Sequence, residues 1–135
     1  MKTYYLPMTA DLFHIGHLRA IRRCSQEGKV IIGLLTDEAI EGYKGRRPII
    51  SFEERQEILA AIKEVAEVVR QDSLSPYENL KKYQVDFLVS GDGFEPDELE
   101  AARLAGCATF DIPYTQCQST TLIKEKIKKM FNESA

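Results

Sequence analysis

Histidine is almost missing from this chain. Of 135 residues only His14 and His17 are histidine, and both fall inside one tetrapeptide, H-I-G-H. Cysteine is scarce as well: Cys24, Cys107 and Cys117 are odd in number and form no C-x-x-C pair. That argues against a disulfide framework or a zinc site and suits a reduced, cytoplasmic setting. No apolar run approaches the ~20 residues that a membrane-spanning helix needs. The opening stretch, MKTYYLPMTAD, lacks the long apolar segment and small-residue cleavage site of a secretory signal. An excess of positive charge is also absent. A net charge of −3 speaks against a nucleic-acid scaffold held by bulk electrostatics. With no repeat, low-complexity tract or linker, residues 1–135 read as one domain, long enough to bury a core without staples.

What positive charge there is sits in two compact spots, Arg19, Arg22 and Arg23 after the histidines and Lys44, Arg46 and Arg47 in EGYKGRRP. An acidic protein with two local basic clusters suits a small polyanion better than a polymer, although each cluster alone reads as a solvated surface. Between these spots strand-like and helix-like segments alternate. KTYYLPM, KVIIGLLT (29–36), EVVRQD (67–72), DFLVSG (86–91) and ATFDIPY (108–114) have strand composition. LRAIRRC places Leu18, Ile21 and Cys24 on one side of a helix and its arginines on the other. SFEERQEILAAIKEV opens with Ser51 and Glu54 in capping-box spacing and offers Ile58, Leu59 and Ile62 as a buried stripe. SPYENLKKYQ is a short helix, EPDELEAARLAG a helix ending at Gly106, and STTLIKEKIKKMF a last helix. Five β-α units with short connections predict an α/β, Rossmann-like open parallel five-stranded sheet with helices on both faces. Such sheets bind ligands beyond the carboxyl ends of their strands, and the histidines, Asp37, SGDG and STT all fall there.

His14 and His17 lie three apart around Gly16, where a strand turns into a helix and backbone N–H groups lack helical partners. Gly16 keeps the backbone bare for a close phosphate. Two ring N–H donors in that position can hold a phosphoryl group whose charge grows in the transition state. The plainer alternative is a pair of structural histidines. A dinuclear metal centre is disfavoured, because no carboxylate cluster accompanies them.

TADLFHIGH resembles the T-F-D-x-x-H-x-G-H segment of the HxGH nucleotidyltransferases, in particular the cytidylyltransferase-like family acting on glycerol 3-phosphate, phosphocholine or phosphoethanolamine. LLTDE (34–38), a basic loop, SFEER (51–55), SGD (90–92) and STT (119–121) continue the resemblance in the family's order. A lone H-I-G-H also occurs in class I aminoacyl-tRNA synthetases, but those are several times longer and carry a lysine-rich second signature absent here. The resemblance implies one in-line displacement, in which a small phosphate or phosphonate attacks the α-phosphate of a nucleoside triphosphate and pyrophosphate leaves. CTP is the favoured nucleotide, with Mg²⁺ bridging its phosphates. His14 and His17 would stabilise the pentavalent centre and the leaving group. Lys44, helped by Arg46, would reach over from a mobile loop. Thr9, Ala10, Asp11 and Gly16 belong to the triphosphate cradle. Arg55 would bind nucleotide, Gly91 and Asp92 would line the nucleoside side, and Ser119, Thr120 and Thr121 would meet the β- and γ-phosphates. A homodimer is implied too.

The chain departs from the family where Met8 stands for a glycine and Ala10 for a phenylalanine, and where Tyr114, Gln116 and Cys117 replace arginine, an acid and glycine. These changes bear on substrate identity more than on phosphate handling. Resemblance is nearest to modules of phosphonate and capsule-type pathways, some fused to a phosphoenolpyruvate phosphomutase, whose acceptor would be 2-aminoethylphosphonate or another small phospho-compound. Two rivals remain: adenylyl transfer from ATP, as in the heptose or flavin branches, and a non-catalytic nucleotide-binding relative.

Overall fold

In the computed structural model, residues 1–91, 93–112 and 120–134 are described. The strands are β1 (Thr3–Met8), β2 (Lys29–Leu35), β3 (Glu67–Gln71), β4 (Phe87–Ser90) and β5 (Ala108–Asp111). The helices are α1 (Ile15–Ser25), α2 (Asp37–Lys44), α3 (Phe52–Ala60), α4 (Tyr77–Lys82), α5 (Pro96–Ala105) and α6 (Thr120–Ser134). All strand pairs are parallel and the sheet order is β3-β2-β1-β4-β5. The expected α/β, Rossmann-like sheet is therefore what forms. Its order reverses between β1 and β4, so the crevice of such a sheet opens beyond the carboxyl ends of those two strands.

Alternation along the strands sorts side chains to two faces. Tyr4 and Leu6 of β1 and Ile32 and Leu34 of β2 join Ile21 and Cys24 of α1 and Phe52 and Leu59 of α3 in one buried cluster. Tyr5 and Ile31 point the other way, into a cluster with Leu80, Ala101 and Ala102 from α4 and α5. Helices thus cover both faces. That explains why β2 is buried from Val30 to Leu35 and reads as one apolar run rather than an alternating strand.

Helix ends follow local chemistry. Thr36 caps α2 by accepting from Ala39 N–H at 3.1 Å, and Gly45 ends it in the left-handed region at φ 77°. Gly106 ends α5 the same way at φ 68°, as EPDELEAARLAG predicts. In α3 Ser51 accepts from Glu54 N–H at 3.4 Å, the N-cap half of the expected capping box. The expected stripe there needs correcting. Ile58 is exposed, Ile62 lies beyond the helix, and the buried positions are Phe52, Arg55 and Leu59. Adjacent helical positions are about 100° apart round the axis, so choosing Leu59 for the core turns Ile58 outward.

Candidate active site

The site grows from the turn after β1. Ala10 and Leu12 adopt left-handed backbone, at φ 54° and 55°, a conformation that side-chain-bearing residues hold only where their surroundings fix it. Here the fixing is visible. The Asp11 carboxylate is buried and accepts from Ile49 N–H at 2.9 Å and Ile50 N–H at 3.0 Å. Its own carbonyl accepts from Thr120 Oγ at 2.8 Å. Asp11 therefore ties together the β1–α1 turn, the chain entering α3 and the start of α6.

His14 is the N-cap of α1. Its Nδ1 accepts from Gly16 N–H at 3.0 Å, and its own N–H donates to His17 Nδ1 at 3.1 Å. The rings lie 4.0 Å apart between centroids, and Phe13 stacks on His17 at 5.3 Å. Because both Nδ1 atoms accept, each neutral ring carries its proton on Nε2. Burial lowers the pKa of His14; burial and then the neighbouring His14 lower that of His17 to about 4. At neutral pH the pair therefore offers two uncharged N–H donors at a helix N-terminus.

Arg55 is placed differently from the sequence expectation. Its side chain is 0 % exposed. Nε donates to the Ile50 carbonyl at 3.0 Å, Nη1 to the carbonyls of Thr9 at 2.7 Å and Leu35 at 2.9 Å, and Nη2 to Asp37 Oδ1 at 2.6 Å. Rather than facing the cleft, the guanidinium fastens the carboxyl ends of β1 and β2 to the loop before α3. The reason is the helical register just described, which puts position 55 on the buried face.

A cleft of about 170 Å³ opens above these ties. Thr9, Ala10, Asp11, His17, Lys44, Arg46 and Thr120 line it, as the motifs lead one to expect. Arg47, from the second basic cluster, lines it too, and Ile40, Pro48 and Lys124 line it without having been foreseen. Lys124 could have been read from its spacing of four from Thr120, which puts both on one helix face. Lys44 belongs to the last turn of α2, not to a loop, and its ammonium lies 5.6 Å from the Tyr43 ring centre. Arg47 is bound to Glu41, Glu38 and Asp37 at 3.4, 3.6 and 4.0 Å. His14, Gly16, Arg55, Gly91 and Thr121 are not among the lining residues. A Cβ at Gly91 would meet nothing within 4 Å among the described residues. Asp92, Tyr114, Gln116, Cys117 and Ser119 lie outside the described residues.

Among the described residues no three His, Cys, Asp or Glu side chains gather to hold a metal. Asp11 is the one carboxylate among the described cleft residues. Each of its oxygens accepts one amide and keeps a second lone pair. This fits Mg²⁺ held mainly by phosphate oxygens, which needs few protein ligands. No helix of the described residues is long and apolar enough to cross a membrane.

Comparison with known proteins bears on the family and the fold. Residues 5–126 match the family model described as cytidylyltransferase-like. The chain is 32% identical over 128 residues to the bifunctional protein HldE of Geobacter sulfurreducens, covering 91% of this chain and 26% of that protein. Against the HldE of Hydrogenovibrio crunogenus it is 30% identical over 124 residues, 88% of this chain and 26% of the other. The chain thus spans about a quarter of the length of these curated relatives. A lipopolysaccharide core biosynthesis protein from Thermoplasma volcanium superposes with a TM-score of 0.73 at 16% identity, over 87% of this chain and 99% of that one. That likeness bears on the fold.

Proposed function

The chain belongs to the cytidylyltransferase-like family of nucleotidyltransferases, and from that premise we propose that it moves a nucleotidyl group, CMP from CTP in the first reading, to a small phosphate or phosphonate acceptor. The observation that carries the reading is the neutral His14–His17 pair. Its Nε2–H donors stand at a helix N-terminus beside a cleft that four cationic side chains and one carboxylate line. An acceptor oxygen attacks the α-phosphorus, and a new P–O bond forms. The bond from the α-phosphorus to the bridging oxygen breaks, its electron pair stays on that oxygen, and pyrophosphate departs. Charge builds on the equatorial and leaving oxygens, where preorganised donors do most. His14 and His17 would donate there, Lys44 and Arg46 would neutralise the leaving group, and the α6 N-terminus would meet its far end. Mg²⁺, bound with the triphosphate beside Asp11, would lower the charge repulsion that the acceptor phosphate must overcome. No serine or cysteine nucleophile is required.

ATP as donor is the second reading, the rival to CTP that the sequence leaves open. A homodimer and a cytoplasmic location complete the proposal. The test is pyrophosphate release with Mg²⁺, run with CTP and with ATP against a panel of small phosphates and phosphonates that includes glycerol 3-phosphate, phosphocholine and 2-aminoethylphosphonate. Release with one nucleotide and one acceptor establishes the reaction. Nucleotide binding without release across the panel would instead favour the non-catalytic relative.

A further inference from the structure

The basic segment beside the cleft is pinned at both ends. Gly45, in left-handed backbone, donates its N–H to the Glu41 carbonyl at 2.9 Å, and the Asp11 carboxylate takes the amides of Ile49 and Ile50. Only Arg46, Arg47 and Pro48 span the gap, and all of them line the cleft. Among the described residues the polar tie of that span is Arg47, held by Glu41 at 3.4 Å, Glu38 at 3.6 Å and Asp37 at 4.0 Å. Asp37 already belongs to Arg55 at 2.6 Å, so the side chains given over to Arg47 are Glu38 and Glu41. These two lie three apart, on one face of α2. Glu38 suits the positive start of that helix, but Glu41 stands in its last turn, where the dipole disfavours an acid. Two carboxylates beside a cleft for a polyanion also repel the ligand. Stability does not account for them, because exposed ion pairs contribute little to it. Their effect is on the place of the chain. With Arg47 drawn onto α2 the span cannot swing, and Arg46 stays at the cleft, where among the described residues no carboxylate engages it.

We propose that Glu38 and Glu41 are positioning residues of this site. They touch no ligand; they hold Arg47, and through it they preset Arg46 for a phosphate group. The proposal rests on the nucleotidyltransferase reading for the nature of the ligand, and inorganic pyrophosphate with Mg²⁺ serves as the probe. Calorimetric titration at fixed ionic strength is made on the unaltered chain, on the double variant Glu38→Gln/Glu41→Gln, on Arg47→Met and on the triple variant that combines them. Glu53→Gln/Glu57→Gln, which removes the same charge from the exposed face of α3, is the control. Charge alone predicts tighter binding by the α2 double variant, since two repelling carboxylates are gone. Positioning predicts the opposite sign. Binding should weaken by about three- to tenfold, the cost of ordering loose cationic side chains on binding, while the midpoint of unfolding moves little. In Arg47→Met the two acids have nothing to hold, so adding the α2 substitutions to it should weaken binding no further. The control should bind as the unaltered chain does, or slightly more tightly. Unchanged or tighter binding by the α2 double variant would overturn the proposal, because the acids would then be surface charge or competitors for a phosphate-binding Arg47. So would an equal loss in the control, or a triple variant in which the losses of the α2 pair and of Arg47→Met simply add. Absence of pyrophosphate binding by the unaltered chain would instead overturn the nucleotidyltransferase reading itself, and this proposal with it.

Discussion

Two polar clusters lie on or beneath the central strand, and they differ in what they leave over. Behind the sheet, Tyr5 Oη donates to Gln71 Oε1 at 2.6 Å and accepts from Asn79 Nδ2 at 2.9 Å. Gln71 Nε2 donates to the carbonyls of Ser73 and Leu74, and Asn79 Nδ2 also donates to that of Arg70. Gly33 leaves its Cβ space to the Tyr5 hydroxyl. No buried side-chain polar atom of the described residues there lacks a partner, and the cluster is neutral. At the carboxyl edge, Arg55 is matched to Asp37 and to carbonyls of the strand ends and the loop before α3, while each Asp11 oxygen accepts one amide of that loop. Above them, among the described residues, the histidines are matched only at Nδ1. A saturated network stabilises a fold; one with donors left over, held by a hydrogen-bonded base, can bind something.

The comparison is broken most severely at Arg55. Arg55→Met leaves three carbonyls without this donor and Asp37 without its closest cation, and should cost about 3–5 kcal/mol in urea denaturation. Activity should fall with stability, because the turn holding Asp11 and the histidines loses its tie. A variant of near-normal stability would show that the guanidinium is dispensable to the edge.

Next come the unsaturated donors. His14→Ala or His17→Ala should lower kcat by roughly 10²–10³, as removal of a single preorganised donor does. The midpoint of unfolding should move little by comparison. Stopped-flow or coupled pyrophosphate assays read the first and circular dichroism the second. Near-full activity in both variants would refute the role given to the pair.

The rear cluster should give the reverse pattern. Tyr5→Phe removes one hydroxyl from a buried pair and should cost about 1–2 kcal/mol, with kcat unchanged once the protein is folded. A kcat loss as large as that of the histidine variants would erase the distinction between the clusters.

Which of these features the sequence announces follows from the range over which each is determined. The β-α order, the helix stop at Gly106 and the strand-to-helix turn at the histidines are local, and hydrophobic runs and cap residues report them. Ile58 and Leu59 are adjacent and equally apolar, so choosing between them needed the packing partner across the sheet. Arg55 looks like a surface arginine until Phe52 and Leu59 are recognised as the buried stripe on which it falls. Asp11 clamps amides 38 and 39 residues away, and no short motif shows that an aspartate lining the cleft will also clamp a distant loop. Lys124 hides among four lysines, of which only the fold selects one.

The finest division between the clusters is their response to acid. His17 falls to about 4 on folding from an ordinary 6.5, and His14 also falls, both chiefly by burial. Between those values the unfolded chain binds more protons than the folded one, so stability rises with pH through that window. The contribution is complete above 6.5 and is lost as pH drops toward 4. His17→Asn, whose side-chain oxygen can still accept the His14 amide, should flatten the slope of unfolding free energy between pH 6.5 and 4. Tyr5→Phe, lacking any group that titrates there, should shift the whole curve down and keep its slope. Pyrophosphate should also flatten the slope of the unaltered chain, because an anion against Nε2–H favours the protonated ring and draws the folded pKa back up. If the slope survives His17→Asn intact, the acid sensitivity comes from carboxylates elsewhere and the histidines do not titrate as a buried pair.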